Sequence, residues 1–372
     1  MITIAIISIL IIYFIFFHNY GHKDFKYISS QLINDETKDI GKRITVNIPA
    51  IDGSIIEGWL YIPEVENCPI VVLAPGLTST KECFLEIYAW SFVSKGIAAL
   101  TIDFRTFGGS EGTPRHWVSP KRQVEDYLST ISFITNHLCK TNSINPNKIA
   151  IWGSSFSGGV AVKLAAVFPD KVKAVIAQVP YLKNSKETEP KGLTMLRFIC
   201  LTLIDTIRSF VSEKTKIKLS PVYVTAFAKT NEFAFSKTDE NPSRDHKKFK
   251  NIQSPFWKEV MRPLRGGWEN KMLARVFIEM GEYEPMKFVD KITQPIYLIS
   301  ASDDKEILPE FIDEAYESIN HKNKKITKIK GGHYDVYIGD IANKNAESQA
   351  IFLKNVFDNL QKNETNDISP NR

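Results

Sequence analysis

The order of apolar and polar positions divides most of the chain into alternating strands and helices. Two continuous apolar runs, 69–75 and 97–103, have the length of strands that are buried on both faces, and three further mainly apolar runs are also read as strands: 148–153, 172–180 and 294–301. Helical patterns separate these runs, most clearly at 119–138, where apolar residues recur every three or four positions after Pro120. This alternation predicts an α/β protein with a mostly parallel sheet and helices on both faces.

Two segments depart from this alternation. The β-rich runs 43–49 and 55–63 flank Asp52-Gly53 and predict an N-terminal antiparallel hairpin. Between 181 and 290 the alternation stops, and the apolar segment 192–211 carries three charges that would be costly inside a bilayer. We therefore interpret this interval as an inserted helical cap. The predicted division is a first core part, a cap and a second core part: 42–180, 181–290 and 291–362.

The first residues of the chain have a membrane-like composition. Residues 1–17 contain no charged side chain, and 17 to 20 helical residues extend for about 26–30 Å, which is just enough to cross a bilayer core. A cleaved signal peptide is disfavoured because a basic start and a small-residue cleavage site are both absent from the sequence. The pattern predicts a single-pass transmembrane anchor over 1–20. Lys23 and Lys26 after it favour a cytoplasmic globular part, with the membrane as a partner.

Composition narrows the remaining function classes. The net charge of +5 is distributed without a Lys/Arg block, so no nucleic-acid partner is predicted. The four cysteines show no C-x-x-C spacing, which favours buried free thiols over a zinc site or a disulfide framework: Cys68, Cys83, Cys139 and Cys200. No metal site, phosphate loop or cofactor is expected.

The stretch AIWGSSFSGGV at 150–160 places serines where a strand turns into a helix. This context is typical of a nucleophile elbow, in which small residues must stand two positions before and after the nucleophilic serine. Ser155 and Ser157 both meet that condition. The apolar strand ends at Trp152, which puts Ser155 at the apex of the turn and Ser157 in the first helical turn, so Ser155 is the predicted nucleophile.

An acid and a histidine follow in the order that such a site requires. Asp303 and Asp304 come after the strand at 294–301, and His333 comes after the strand predicted at 325–330. Asp304 is the preferred acid, while Asp303 remains open and either residue could instead cap a helix. The other histidines are interpreted as flanking the anchor or as ordinary surface residues: His18, His22, His116, His137, His246 and His321.

The three residue types divide the chemistry of acyl transfer. A serine hydroxyl is a poor nucleophile at neutral pH, so an imidazole must accept its proton while a carboxylate orients that imidazole. The developing oxyanion needs backbone donors. We expect one to be the N–H of Phe156, directly after the nucleophile, and the other to be the N–H of Leu77, with Thr78 as the alternative.

These motifs resemble the α/β-hydrolase superfamily, and within it the serine hydrolases grouped as Xaa-Pro dipeptidyl-peptidase-like, acetylxylan-esterase-like and polyketide-hydrolase-like. The resemblance covers about 42–360 and rests on seven blocks: APGLTSTKE, TIDFRTFGGSEGTPR, SPKRQVEDY, WGSSFSGG, WENKMLAR, SASDDKEILP and GGHYDVY. It implies an α/β-hydrolase fold and a triad of Ser155, Asp304 and His333. It also implies that the loop Asp103–Gly112 is structural.

Two departures from the family pattern affect the surroundings of the predicted oxyanion donors and the choice of the triad acid. The usual His-Gly before the oxyanion loop is Pro75-Gly76 here, which removes an imidazole without changing the backbone donors. The interval from Asp304 to Pro309 is one residue longer than is common in the family, and this keeps Asp303 open as the acid.

The leading functional hypothesis is a serine hydrolase that cleaves a small-molecule carboxylic ester or thioester through an acyl-enzyme intermediate. The apolar segment 192–211 suggests a hydrophobic substrate, although it could equally cover a core. An acyltransferase or a peptidase would use the same triad. A non-catalytic binding scaffold is disfavoured because competent residues fill all three catalytic positions. The sequence leaves the substrate and the oligomeric state open.

Overall fold

A nine-stranded sheet forms the centre of the molecule, in the order β1-β2-β3-β5-β4-β6-β7-β12-β13. Its strands are β1 Glu36–Lys38, β2 Gly41–Pro49, β3 Ile55–Pro63, β4 Cys68–Ala74, β5 Ala98–Ile102, β6 Ile144–Ser154, β7 Ala174–Gln178, β12 Ile296–Ala301 and β13 Lys324–Ile329. The computed structural model describes residues 12–16, 18, 36–141, 143–185, 192–228, 235–237 and 268–367.

The type of strand pairing changes once across this sheet, from antiparallel to parallel at β5. The strands β4, β5, β6, β7, β12 and β13 pair in parallel, whereas β1, β2 and β3 form an antiparallel edge that joins the sheet at β5. The predicted fold class, including the N-terminal hairpin, is confirmed. Parallel strands need crossover connections, and these connections are the helices predicted from the periodicity.

Helices cover both faces of the sheet. The main ones are α1 Leu85–Val93, α2 Pro120–Phe133, α3 Phe156–Val167, α6 Pro309–Ser318 and α7 Gly339–Asp367. Alternate residues of β4 point to opposite sides: Ile70 and Val72 join the core under α2, α3 and α6, whereas Val71 and Leu73 join the core under α1 and α7. Burial on both faces explains why these strands are continuously apolar in the sequence.

The predicted cap interval contains α4 Gly192–Thr215, α5 Val276–Met280 and four short strands. These strands are β8 Tyr223–Thr225, β9 Phe227–Ala228, β10 Ser236–Lys237 and β11 Lys271–Leu273. The helix α4 packs on α5 through Phe198 and Phe277, whose ring centroids are 4.2 Å apart. Much of the interval, including 238–267, lies outside the described residues. The boundaries of the cap and of the two core parts stay predictions.

The predicted transmembrane anchor over 1–20 is wrong. The described part of the chain contains no helix that combines the length and the apolar character needed to cross a bilayer. Of the anchor itself, the structure describes a short helix at 12–16 and residue 18, while residues 1–11 lie outside the described ranges. The Arg208 guanidinium of α4 donates hydrogen bonds to main-chain oxygens of this segment, so it packs against protein. The membrane localisation, its cytoplasmic orientation and the membrane partner rested on the anchor and are withdrawn with it.

Candidate active site

The turn between β6 and α3 has the geometry of a nucleophile elbow. Ser155 alone separates the strand from the helix, with φ 55° and ψ −118°, a conformation that L residues rarely adopt. A Cβ on Gly153 would lie 2.1 Å from the Ser157 carbonyl oxygen, and a Cβ on Gly159 would lie 2.0 Å from the Tyr181 carbonyl oxygen. The tight turn therefore requires glycine on both sides of the serine.

The structure brings the three predicted triad side chains together. His333 Nε2 lies 3.1 Å from Ser155 Oγ, and His333 Nδ1 lies 2.7 Å from Asp304 Oδ2. The other Asp304 oxygen accepts the backbone N–H groups of Glu306 and Ile307 at 2.9 and 2.7 Å. The histidine and the carboxylate are buried while the serine is half-buried. A substrate can therefore reach the hydroxyl, whereas the pair that would activate it is shielded from water.

The alternative acid has a different environment. Asp303 is exposed, and its backbone N–H donates to the Gly331 carbonyl oxygen at 2.8 Å. This bond ties the loop after β12 to the loop that carries the histidine. The geometry thus favours Asp304 over Asp303 as the partner of His333.

Asp335 orders the histidine loop, and sequence reasoning missed its role. One of its carboxylate oxygens accepts the Gly332 N–H at 2.8 Å. Gly331 has φ 144°, and a Cβ there would lie 2.6 Å from the same carboxylate oxygen. The two glycines before His333 therefore let Asp335 close the loop tightly.

The neighbouring serines have internal hydrogen-bond partners. Ser157 Oγ donates to the Ala74 carbonyl oxygen at 2.7 Å and accepts the Ser154 N–H at 2.9 Å. Ser154 Oγ lies 2.5 Å from Tyr337 Oη and 3.2 Å from Gln178 Nε2. Both hydroxyls are fully buried. Their hydrogen bonds connect the elbow to surrounding elements. Ser155 is therefore the serine of this turn whose hydroxyl is placed to transfer its proton to His333.

The predicted oxyanion donors lie beside the nucleophile. A Cβ on Gly76 would approach Ser155 Cβ to 3.2 Å, so the loop carrying Leu77 runs directly past the serine. Among the described residues, neither the Leu77 nor the Phe156 backbone N–H has a hydrogen-bond acceptor. Thr78 is buried with φ 56°. Two backbone donors beside one hydroxyl are what a developing oxyanion would need.

Within the described ranges, no group of three or more His, Cys, Asp or Glu side chains is placed to hold a metal ion. The four cysteines are free: Cys68 and Cys83 are buried, Cys139 is half-buried and Cys200 is exposed. The expectation of buried thiols is therefore wrong for Cys200, which lies on the outer face of α4.

The family model described as serine aminopeptidase, S33, matches residues 66–251, which is half of the 372-residue chain. The chain belongs to this family. Membership makes it an α/β-hydrolase and an enzyme of the serine hydrolase class, as the resemblance implied. The matched range includes the elbow and the loop that carries Leu77.

Individual relatives and a solved structure are similar over most of the chain. The chain is 28% identical to the quorum-quenching protein AidA of Acinetobacter baumannii, over 80% of this chain and 90% of that protein. It is 27% identical to a thiohydrolase of Eupenicillium brefeldianum, over 85% of this chain and 96% of that protein. The crystal structure of the α/β-hydrolase GrgF from Penicillium sp. sh18 superposes with a TM-score of 0.67 at 22% identity, covering 84% and 98% of the two chains.

A buried polar network beneath the elbow of this S33 hydrolase was also missed by sequence reasoning. Gln178 Oε1 accepts from Asn345 Nδ2 at 2.6 Å and from Gln349 Nε2 at 2.9 Å, and Gln349 Oε1 accepts from Trp152 Nε1 at 2.6 Å. The network joins β6, β7 and α7. Two of its residues lie in the last helix, so only the folded chain brings them to the elbow.

Proposed function

We propose that the protein is a serine hydrolase that cleaves small-molecule carboxylic esters or thioesters through an acyl-enzyme on Ser155. The observation that carries the proposal is the hydrogen-bonded series Ser155 Oγ, His333 Nε2, His333 Nδ1 and Asp304 Oδ2, with distances of 3.1 and 2.7 Å. A solvent-accessible hydroxyl beside a buried, carboxylate-paired imidazole supports acyl transfer more directly than binding alone.

The proposed reaction has two halves. In the first, Ser155 Oγ attacks the acyl carbon while His333 Nε2 takes the proton of the hydroxyl. The bond to the leaving alkoxide or thiolate then breaks as His333 gives this proton to the leaving group. In the second, water attacks the acyl-enzyme with His333 again as base, and Ser155 is released. Asp304 holds the imidazole in one orientation and stabilises its cation. The N–H groups of Leu77 and Phe156 would receive the oxyanion in both halves.

Three packed aromatic side chains beside the elbow support the proposal that the substrate carries a small organic acyl group. Phe156 packs against Tyr283 with ring centroids 5.0 Å apart, and Tyr181 stacks on Tyr283 at 5.7 Å. Tyr181 follows β7, is half-buried, and donates its backbone N–H to the Ser155 carbonyl oxygen at 2.8 Å. Its ring is therefore the apolar surface that we assign to the acyl group. The relative named thiohydrolase makes thioesters the first compounds to examine.

Acyl transfer is the second candidate. The Penicillium protein GrgF is also named a polyketide transferase and is 30% identical over 147 residues, 40% of this chain and 48% of that protein. A transferase differs from a hydrolase only in the acceptor that reaches the acyl-enzyme. Adding an alcohol or amine acceptor to a thioester assay and measuring the ratio of transfer product to free acid separates the two.

Labelling with a fluorophosphonate probe tests the proposed nucleophile. Wild type, Ser155→Ala, Ser157→Ala and His333→Ala are compared at matched folded concentration, with Ser132→Ala as an exposed-serine control. We expect labelling of wild type and Ser132→Ala, none in Ser155→Ala, and strongly slowed labelling in His333→Ala. Labelling that persists in Ser155→Ala and disappears in Ser157→Ala would move the nucleophile, and a folded wild type without labelling would favour a binding scaffold.

A further inference from the structure

A fully buried lysine lies in the loop that carries the predicted oxyanion donor, and the proposed mechanism does not use it. We call residues 75–84, between β4 and α1, the oxyanion loop. Lys81 lies four residues after Leu77 in this loop, and its side chain is 0% exposed. An ammonium group removed from water is costly unless it is fully paired. Its partners therefore indicate what the lysine does.

Lys81 pairs with two carboxylates on neighbouring strands. Its Nζ lies 2.7 Å from Glu57 Oε1, on β3, and 2.6 Å from Asp103 Oδ2, directly after β5. Its backbone N–H donates to the other Asp103 oxygen at 2.6 Å, so one carboxylate holds both ends of this residue. The Trp59 ring lies 4.9 Å from Nζ. We call Lys81, Glu57 and Asp103 the buried ion cluster.

The cluster carries a net charge of −1 when all three groups are ionised. Burial lowers the pKa of Lys81, but the charges of Asp103 and Glu57 outweigh burial and raise it above its ordinary value. The Gly109 N–H, 2.8 Å from Asp103 Oδ2, provides additional positive partial charge. Without the ammonium, two carboxylates would face each other out of water, which is strongly unfavourable.

The oxyanion loop has a backbone that needs such support. Thr78 and Phe84 lie on either side of Lys81 and have φ of 56° and 62°, in the left-handed region. For a β-branched or bulky residue this region costs on the order of 1–3 kcal/mol and persists only where surrounding contacts impose it. The ion cluster holds the loop midway between these two residues. Leu77 directly precedes the first of them, so the orientation of its N–H depends on the loop remaining in this conformation.

We propose that Lys81 is a positioning residue, which acts through Asp103 and Glu57 to hold the Leu77 N–H where the oxyanion develops. The inference rests on the proposed function. It predicts that loss of the ammonium weakens transition-state stabilisation more than ground-state binding, because the donor moves while the binding surface does not.

Lys81→Met, which keeps the length of the side chain and removes its charge, tests this inference. We expect a fall in kcat of roughly 10- to 100-fold on a thioester substrate with a small change in KM. A trifluoromethyl ketone analogue, whose hemiketal adduct with Ser155 bears an oxyanion, should lose affinity by the same factor. The corresponding alcohol, which forms no oxyanion, should change by no more than about threefold.

Three further variants keep the test decisive. Lys148→Met removes another buried lysine, which contacts Gln361 at 3.4 Å, and should leave kcat within about twofold. If Lys81→Met does not fold, Glu57→Gln replaces it, since the pair with Asp103 remains, and a fall of roughly 3- to 10-fold is expected. Ser155→Ala tests the proposed function separately: activity that survives it refutes the nucleophile whatever Lys81 does.

Two results would overturn the inference while the nucleophile stands. One is a folded Lys81→Met or Glu57→Gln protein with wild-type kcat and wild-type affinity for the ketone. The other is an equal loss of affinity for the ketone and the alcohol, which would mean that the cluster only supports the fold.

Discussion

At the scale of single residues, the Asp304 carboxylate has two separate hydrogen-bonding roles. One oxygen faces His333 and the other accepts two backbone N–H groups. Asp304→Asn keeps the shape of the side chain but replaces the carboxylate with an amide. The amide N–H can donate to His333 Nδ1 and so hold the imidazole in the wrong tautomer. We expect kcat to fall by about 10³- to 10⁴-fold. The matched variant Asp303→Asn, at the adjacent exposed position, should remain within about threefold of wild type in the same steady-state assay. The opposite ranking would make Asp303 the acid.

Burial separates three of the four thiols by reactivity: Cys68 and Cys83 from Cys200. Burial raises the pKa of Cys83 to about 12 and also raises the pKa of Cys68, whereas Cys200 is exposed on α4. The thiolate is the reactive form, and at pH 8 a thiol of pKa 12 is ionised to about one part in 10⁴. We expect iodoacetamide to modify Cys200 first and to reach Cys68 and Cys83 only after unfolding. Peptide mass mapping measures the order, and rapid modification of Cys83 in the folded protein would contradict it.

At the scale of elements, the junction between β6 and α3 depends on close approach to the segment after β7. A Cβ on Gly159 would lie 2.0 Å from the Tyr181 carbonyl oxygen and 2.7 Å from Tyr283 Oη. Gly159→Ala must therefore push the helix from the elbow, and we expect the free energy of unfolding to fall by about 1–3 kcal/mol. Because Tyr181 also donates to the Ser155 carbonyl oxygen, kcat should fall as well.

Gly281→Ala is the matched control for that variant. Its Cβ would meet nothing nearer than 3.4 Å, and Gly281 has φ −59°, which any residue adopts. We expect the free energy of unfolding to change by less than about 1 kcal/mol, with a small increase from reduced chain entropy. Urea denaturation of both variants measures the difference, and equal effects would show that packing at the elbow is not the cause.

Element type was readable from the sequence, while the partners of charged residues were not. The apolar runs and the helical period identify the strands and helices because burial imposes them locally. By contrast, Lys81 looks like a surface lysine until β3 and β5 bring Glu57 and Asp103 to it. His116 was interpreted as a surface residue, yet it is buried beside Phe107 and Glu269. Such pairings depend on strand order, which a pattern along one chain does not encode.

At the scale of the whole molecule, the positions of the triad candidates followed from topology. The residues after β6, β12 and β13 meet because parallel strands end at the same edge of a sheet, which is why chain order and strand ends could predict Ser155, Asp304 and His333 as neighbours. Their catalytic roles stay predictions until the variants are measured. The N-terminal anchor was predicted from composition alone, without a topological constraint, and that prediction was wrong.

The last helix is connected to the elbow by the amide network under the sheet. Gln349 of α7 donates to Gln178 at 2.9 Å and accepts from Trp152 at 2.6 Å, and all three side chains are fully buried. Gln349→Met leaves the Trp152 indole N–H without this acceptor. Gln178→Met removes one of the two acceptors of Gln349 Nε2, the other being Asn345 Oδ1 at 3.0 Å. Each change should lower the free energy of unfolding by about 1–3 kcal/mol, the cost of a buried polar group that loses its partner.

The double variant tests whether the network acts as one unit. With both glutamines replaced, the amide pair between β7 and α7 disappears from both sides, so the combined loss should be smaller than the sum by about 0.5–3 kcal/mol. Asp358→Asn is the control on the same helix, because it removes only an exposed ion pair with Lys354 and should change stability by less than about 1 kcal/mol. Urea unfolding of the full-length chain supplies all four values. Additive losses would mean that the two amides contribute independently and that the network does not act as one unit.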